Sequence, residues 1–263
     1  MLRTKLLGVA AVLAAVIVLG TGAGLPFDTS PRPEGSPRLT AAPVPKARPA
    51  DQFRFLAFEG FDGKLGLNWR PVRPDPTHVS LTKHPGKLTI TTQRGTIHGD
   101  EKAAGEPSAK NLFLLDNPLA KEAAFVMTTS VSSFTPAVAY QQAALLCYDD
   151  DDNYLKWSYE FNWDKGEGQR FICVRETGAK PDHFPTEGVS DLKRVWLRLT
   201  KRGTTYEYAS STDGKSFTTH GRTEWGDGAP KKLGILAKNG GPAGVPEVDA
   251  CFDFFELRSP PGP

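Results

Sequence analysis

Residues 138–163 read VAYQQAALLCYDDDDNYLKWSYEFNW, and the fold turns on how this stretch divides. After Asn153, apolar and polar side chains alternate. Leu155, Trp157, Tyr159, Phe161 and Trp163 fall on one side of an extended chain, and Tyr154, Lys156, Ser158, Glu160 and Asn162 on the other. A period of two belongs to a β-strand, so one face is predicted to be core and the other to meet water. Asp149 to Asp152, followed by Asn153, carry side chains that bond their own backbone and tolerate turn geometry. They close a hairpin with the small-apolar run before them, and this hairpin is predicted to be the centre of a sheet.

Outward from it, the chain from Phe53 to Leu257 is punctuated by short apolar runs bounded by Gly, Pro, Asn and Asp, with no sustained helical period. The runs predicted as strands are 53–59, 78–82, 87–93, 111–115, 123–134, 138–148, 153–163, 168–175, 193–201, 204–210, 215–224, 231–238 and 247–257. So many strands at such regular spacing predict an all-β sandwich of two sheets. Asp213-Gly214 is a hairpin signal between two of them, and Arg202-Gly203 is a weaker one.

Ahead of this domain, Arg3 and Lys5 precede an uncharged run from Leu6 to Phe27, the layout of an export signal. The expected location is extracytoplasmic. Thr21 and Ala23 could serve as the small residues before a cleavage point, yet the run is long enough to span a bilayer, so a signal peptide and a signal anchor both stay open. Residues 28–50 hold six prolines and almost no large apolar side chain. Such a stretch cannot bury enough surface to offset chain entropy and is expected to be a semi-extended tether. The domain itself is expected over 51–258, with a tail at 259–263.

The balance of 32 Lys+Arg against 30 Asp+Glu leaves a net charge of +2. No basic stripe suits a phosphate backbone, and no Gly-rich loop opens a helix, so nucleic acid and nucleotide chemistry are not expected. Cys147, Cys173 and Cys251 sit far apart in strand-like runs, which predicts buried free thiols rather than a disulfide framework or a metal site. The five histidines, His78, His84, His98, His183 and His220, are scattered without metal-ligand spacing.

The order of the pieces resembles the C-terminal concanavalin A-like domain of bacterial β-xylosidases of glycoside hydrolase family 43. The segments that carry the resemblance are FEGFDGKLGLNW, GKLTI after VSLTKHPG, NLFLLDNP before FVMTTSVSSF, QQAALLCYDDDDNYLKW, VWLRLTKRGTTYEYASSTDGKSF and VDACFDFFEL. It implies a jelly-roll of two curved antiparallel sheets. The family's catalytic propeller, with its own carboxylates, has no counterpart in these residues, so its hydrolase activity is not expected here.

A carbohydrate-binding module is the leading expectation, with a polysaccharide or oligosaccharide as partner. An envelope protein-interaction or scaffolding domain is the alternative, and a stand-alone polysaccharide hydrolase or lyase a distant third. The E-x-D-x-x-E strand of the sandwich glucanases is missing, and Asp249 with Asp253, four apart among phenylalanines, favour a structural role. If a glycan binds, the expected surface is the polar face with Gln142, Lys156, Ser158 and Glu160, joined by Tyr154, Trp163 and Arg175, or His183 in place of Arg175. Tyr148, Tyr154, Trp163 and Trp225 are the aromatic side chains expected to reach solvent, whereas Trp157, Tyr159 and Phe161 are expected in the core. The Asp149 to Asp152 run lacks the alternation of calcium loops and is read as a turn. A structural calcium is instead placed at Glu59, Asp62 and Asp253, because first and last strands of such sandwiches lie side by side.

Overall fold

The computed structural model describes residues 54–99, 107–119, 124–138, 140–240 and 242–259. The expected signal segment and tether lie outside the described residues. Among the described residues fourteen strands appear: β1 (Arg54–Glu59), β2 (Val79–Ser80), β3 (Leu88–Thr91), β4 (Phe113–Asp116), β5 (Phe125–Ser132), β6 (Gln142–Asp150), β7 (Asn153–Asn162) and β8 (Gly168–Thr177). They are followed by β9 (Pro181–Pro185), β10 (Arg194–Arg202), β11 (Thr205–Ser211), β12 (Thr218–Glu224), β13 (Lys232–Lys238) and β14 (Asp249–Ser259). Ser259, expected in the tail, ends β14 instead. Among the described residues no helix is long and apolar enough to cross a membrane.

The ladders are antiparallel and make two sheets. One runs β12, β11, β10, β5, β14, β3, β2, with β1 added to β14; the other runs β4, β13, β6, β7, β8, β9. The predicted hairpin is therefore the middle of the six-stranded sheet, and first and last strands do pair. At its turn Asp150 accepts from the Asp152 amide at 3.1 Å and from Asn153 Nδ2 at 2.8 Å, while Asp151 receives Arg73.

Each expected strand is present, and the largest change is at the start of β6. There the Gln141 side chain accepts from the Ala137 and Val138 amides, which bends the chain before pairing begins. The sequence reading missed β9, a short run flanked by prolines. Pro cannot donate to a ladder, and β9 lies at a sheet edge where that loss is tolerated.

Between the sheets lies the main core. Leu155, Trp157 and Tyr159 of β7 meet Leu197, Leu199, Tyr206, Tyr208, Phe252 and Phe255 from the other sheet. Trp157 has no exposed surface, and its Nε1 donates to the Ala209 carbonyl across the sandwich at 2.8 Å. The three thiols are buried and free.

Candidate functional site

Residues opposite one another on a ladder share a face, so the outer face of the six-stranded sheet is ordered in rows. One row crosses β13, β6, β7 and β8 as Lys238, Gln142, Glu160 and Arg170. Two residues along comes Leu236, Ala144, Ser158, Ile172; then Gly234, Leu146, Lys156, Val174; then Lys232, Tyr148, Tyr154, Glu176. The alternation that sent Trp157 inward thus sends these polar side chains outward, as expected.

They do not meet bulk water, however. Residues 93–98 and 108–112 lie across the rows: the Asn239 amide donates to the Gln93 carbonyl at 2.8 Å, and the Gly95 amide to the Gly240 carbonyl at 3.3 Å. Gly95 is required for this approach, since a Cβ there would come within 2.7 Å of the Ala109 backbone. Ile97, Ala109 and Leu112 then pack on Leu146, Tyr154, Ile172, Val174 and Leu236 as a second, smaller apolar cluster. Lys156 and Glu160 keep only 5% and 2% of their surface exposed, which corrects the expectation of a solvated polar face.

Buried polar groups need partners, and most of these have them. Lys156 Nζ donates to Gln142 Oε1 at 2.5 Å and stands 3.7 Å from Glu160 Oε2. The same Glu160 accepts from Ser158 Oγ at 2.6 Å and from Asn162 Nδ2 at 3.1 Å. Lys238 Nζ donates to the carbonyls of Gly95 and Asn239 at 3.2 and 3.1 Å. Burial, reinforced by the nearby Lys156 ammonium, lowers the Lys238 amine to about 7.

Two groups are left incomplete. Arg170 donates from Nη2 to the Gly166 carbonyl, but its Nε and Nη1 have no hydrogen-bond partner. Glu176 has no exposed surface; the Tyr154 hydroxyl is the donor beside it, and His98 Nε2 stands 3.8 Å away. Burial raises its pKa, and the charge of His98, the hydrogen bond from Tyr154 and the charge of His183 act against that rise.

A pocket of about 120 Å³ opens over these rows, bounded by Thr96, Ile97 and His98 of the cover and by Tyr140, Gln142, Lys156, Glu160, Asn162, Glu176, His183 and Lys238. At one end Tyr140 makes an edge-to-face pair with Trp163, ring centroids 5.6 Å apart, and Trp163 is 48% exposed. The site therefore combines a buried ionic floor with an open aromatic rim.

Residues 58–258 match the family model described as the β-xylosidase C-terminal concanavalin A-like domain. The chain belongs to this family.

Solved structures similar to this β-xylosidase C-terminal-type domain include the GH43 protein BlXynB from Bacillus licheniformis, at 24% identity and TM-score 0.64, covering 77% of this chain and 39% of that one. The xylan β-1,4-xylosidase from Bacillus halodurans C-125 matches at 17% identity and TM-score 0.57, over 84% and 41% of the two chains. A functionally unknown protein from Saccharomyces cerevisiae, at 18% identity and TM-score 0.57, is covered over 97% of its length by 74% of this chain. At these identities the likeness is one of fold. The domain spans 39% of BlXynB, so the activity of that whole protein is not carried over by the match. No curated protein matches this chain.

In this β-xylosidase C-terminal-type domain, the expected ligand-contact residues divide. Gln142, Lys156, Ser158, Glu160 and Tyr154 share the outer face; Trp163 stands beside it at the rim. Arg175 does not join them. It is odd-numbered on β8, so it pairs with Leu155 on the inward side, holds Asp182 at 2.5 Å and lines a separate groove of about 410 Å³ with Trp225. Its even-numbered neighbour Glu176 takes the outer face instead. Predicted strand 168–175 stopped one residue short of it; one more step of alternation would have found it. His183 does line the pocket, whereas Tyr148, Tyr154 and Trp225 are buried rather than exposed. Lys238 was not legible because β13 is apolar on both faces, the pattern of a doubly covered strand.

The calcium ligands are not brought together either. Glu59 accepts from the amides of Phe61, Gly66 and Leu67 and from Trp69 Nε1, at 2.6 to 3.2 Å, and so staples the loop after β1. Asp253 accepts from Ser130 and Ser132 and faces Lys87 and Arg194, and Asp62 is exposed. Hydrogen-bond donors and cations occupy the oxygens that a calcium ion would need. Among the described residues no group of three or more His, Cys, Asp or Glu could hold a metal. Asp249 is tied to Thr91 at 2.7 Å and Lys83 at 2.6 Å, in keeping with the structural role read for it.

Proposed function

We propose that this is a non-catalytic, exported carbohydrate-binding module whose ligand lies in the covered pocket of the six-stranded sheet. The observation that carries this reading is the pairing of a fixed floor of hydrogen-bonding side chains with the exposed Trp163 and its partner Tyr140 at the rim. A sugar ring presents hydroxyls at its edge and C–H groups on its faces, so it matches a polar floor and an aromatic platform at once. Similarity to a protein named xylan β-1,4-xylosidase supports a xylan-like polysaccharide as the ligand class. Export is supported by the basic start and apolar run of residues 1–27.

A glycosidase reading lacks its carboxyl pair. Of the two carboxyls at the pocket, Glu160 is already bonded by Ser158 and Asn162 and paired with Lys156, so it is not free to act as acid, base or nucleophile. A second reading, a protein-interaction module, is favoured by another place. A bulge between Phe55 and Ala57 of β1 lets Phe55 and Phe58 neighbour one another, and both are exposed, with Phe58 stacked on Phe254 at 5.8 Å.

Retention of the domain on soluble xylan, xyloglucan and β-glucan in affinity gels tests the proposal. Trp163→Ala should abolish the retardation while shifting stability by less than ~0.5 kcal/mol, since the ring is exposed. Migration unaffected by every polysaccharide, or retardation indifferent to Trp163→Ala, would turn preference to the interaction reading.

A further inference from the structure

Two carboxyl groups reach the pocket, and they are not equivalent. Glu160 is saturated by Ser158, Asn162 and Lys156, so it organises the floor and has little capacity left for a ligand. Glu176 is the reverse: fully buried, lining the pocket, and with the Tyr154 hydroxyl alone to donate to its two oxygens. Leaving a buried carboxyl short of donors is unfavourable, and such groups are rare in proteins unless something else supplies the donors. A metal ion is not that something, because among the described residues no group of three or more His, Cys, Asp or Glu could hold one.

We propose that Glu176 is the carboxyl that receives the ligand, accepting hydrogen bonds from two adjacent hydroxyls of one ring of a neutral saccharide. This deepens the carbohydrate reading and rests on it. The pairing is one of capacity: an ionised carboxyl offers two oxygens and only accepts, while a vicinal diol offers two O–H donors side by side. The pocket measures about 120 Å³, the volume of several water molecules, and Glu176 is part of its wall. His98, His183 and Tyr154 wall the same end, so the diol is held among polar neighbours rather than against open solvent.

Calorimetric titration of the full chain with xylotetraose and with cellotetraose tests the assignment. Glu176→Gln removes one acceptor oxygen without changing shape, and affinity should fall on the order of ten- to a hundredfold. Its melting temperature should be no lower than the wild type's, because the buried charge is gone. On the unmodified protein, monodeoxy xylotetraoses provide a second measurement: removal of one hydroxyl of the pair should weaken binding on the order of tenfold. If wild type binds and Trp163→Ala weakens it, but Glu176→Gln and every monodeoxy analogue bind like their parents, the Glu176 assignment falls and the carbohydrate reading stands. Failure of wild type to bind either tetraose overturns both.

Discussion

At the scale of single residues, burial decides what each substitution does. Trp157 fills the middle of the sandwich, stacked on Phe171 with centroids 5.7 Å apart and tied by its indole to Ala209. Trp157→Ala should cost ~3 to 5 kcal/mol by opening a cavity the sheets cannot close, read as a lower midpoint in urea. Its neighbours Lys156 and Glu160 would be simple surface residues on an open face. Here they are interlocked beneath the cover, so neither can be truncated without leaving Gln142, Ser158 or Asn162 short of a partner. Alternation in the sequence located both sets, because the direction a side chain takes from a strand is local. The cover is not local, and burial of the polar set could not be read there.

Elements are held by how closely their backbones approach. β13 lies between β4 and β6, and Gly234 stands where a Cβ would come within 1.9 Å of the Phe113 carbonyl oxygen. Gly234→Ala should therefore push edge strand β4 off the sheet and destabilise the domain by about 2 kcal/mol or more, with hydrogen exchange of the Phe113–Asp116 amides rising first. Unchanged protection of those amides would contradict this account. Such a contact is invisible in KKLGILAK, where glycine reads only as a weak point in an apolar strand. β9 escaped for a related reason: its hydrogen bonds come from β8 on one side alone, so its composition need not be that of an interior strand.

For the whole molecule, the unusual feature is a second layer of burial outside the sandwich, with charge inside it. Lys238 shows the consequence. Its folded-state pKa, near 7, is below the ordinary lysine value, so its contribution is fully present above the unfolded pKa near ~10.4 and is lost as pH falls through 7. Lys238→Met removes this titration. The variant's melting temperature should gain on the wild type as pH drops from 10 to about 7, and hold level below that. A difference that stays constant from pH 6 to 10 would place the amine in contact with water. Using the difference between the two proteins cancels the other groups, including the buried thiols, whose raised pKa values act in the opposite sense.

The sequence by itself determined the class of fold, the central hairpin and the faces of β7, because period-two alternation and turn chemistry act over a few residues. It also supplied the run of pieces whose order matches the family, since that order is a property of the chain and not of its packing. Only the tertiary structure decided that Glu59 is a loop staple, that Arg175 leaves the site and that Glu176, Lys238 and His98 enter it. Those outcomes depend on which segments lie across one another: the stretch around Gly95 and Ala109 reaches the outer face from far along the chain, and it turns a polar surface into a pocket.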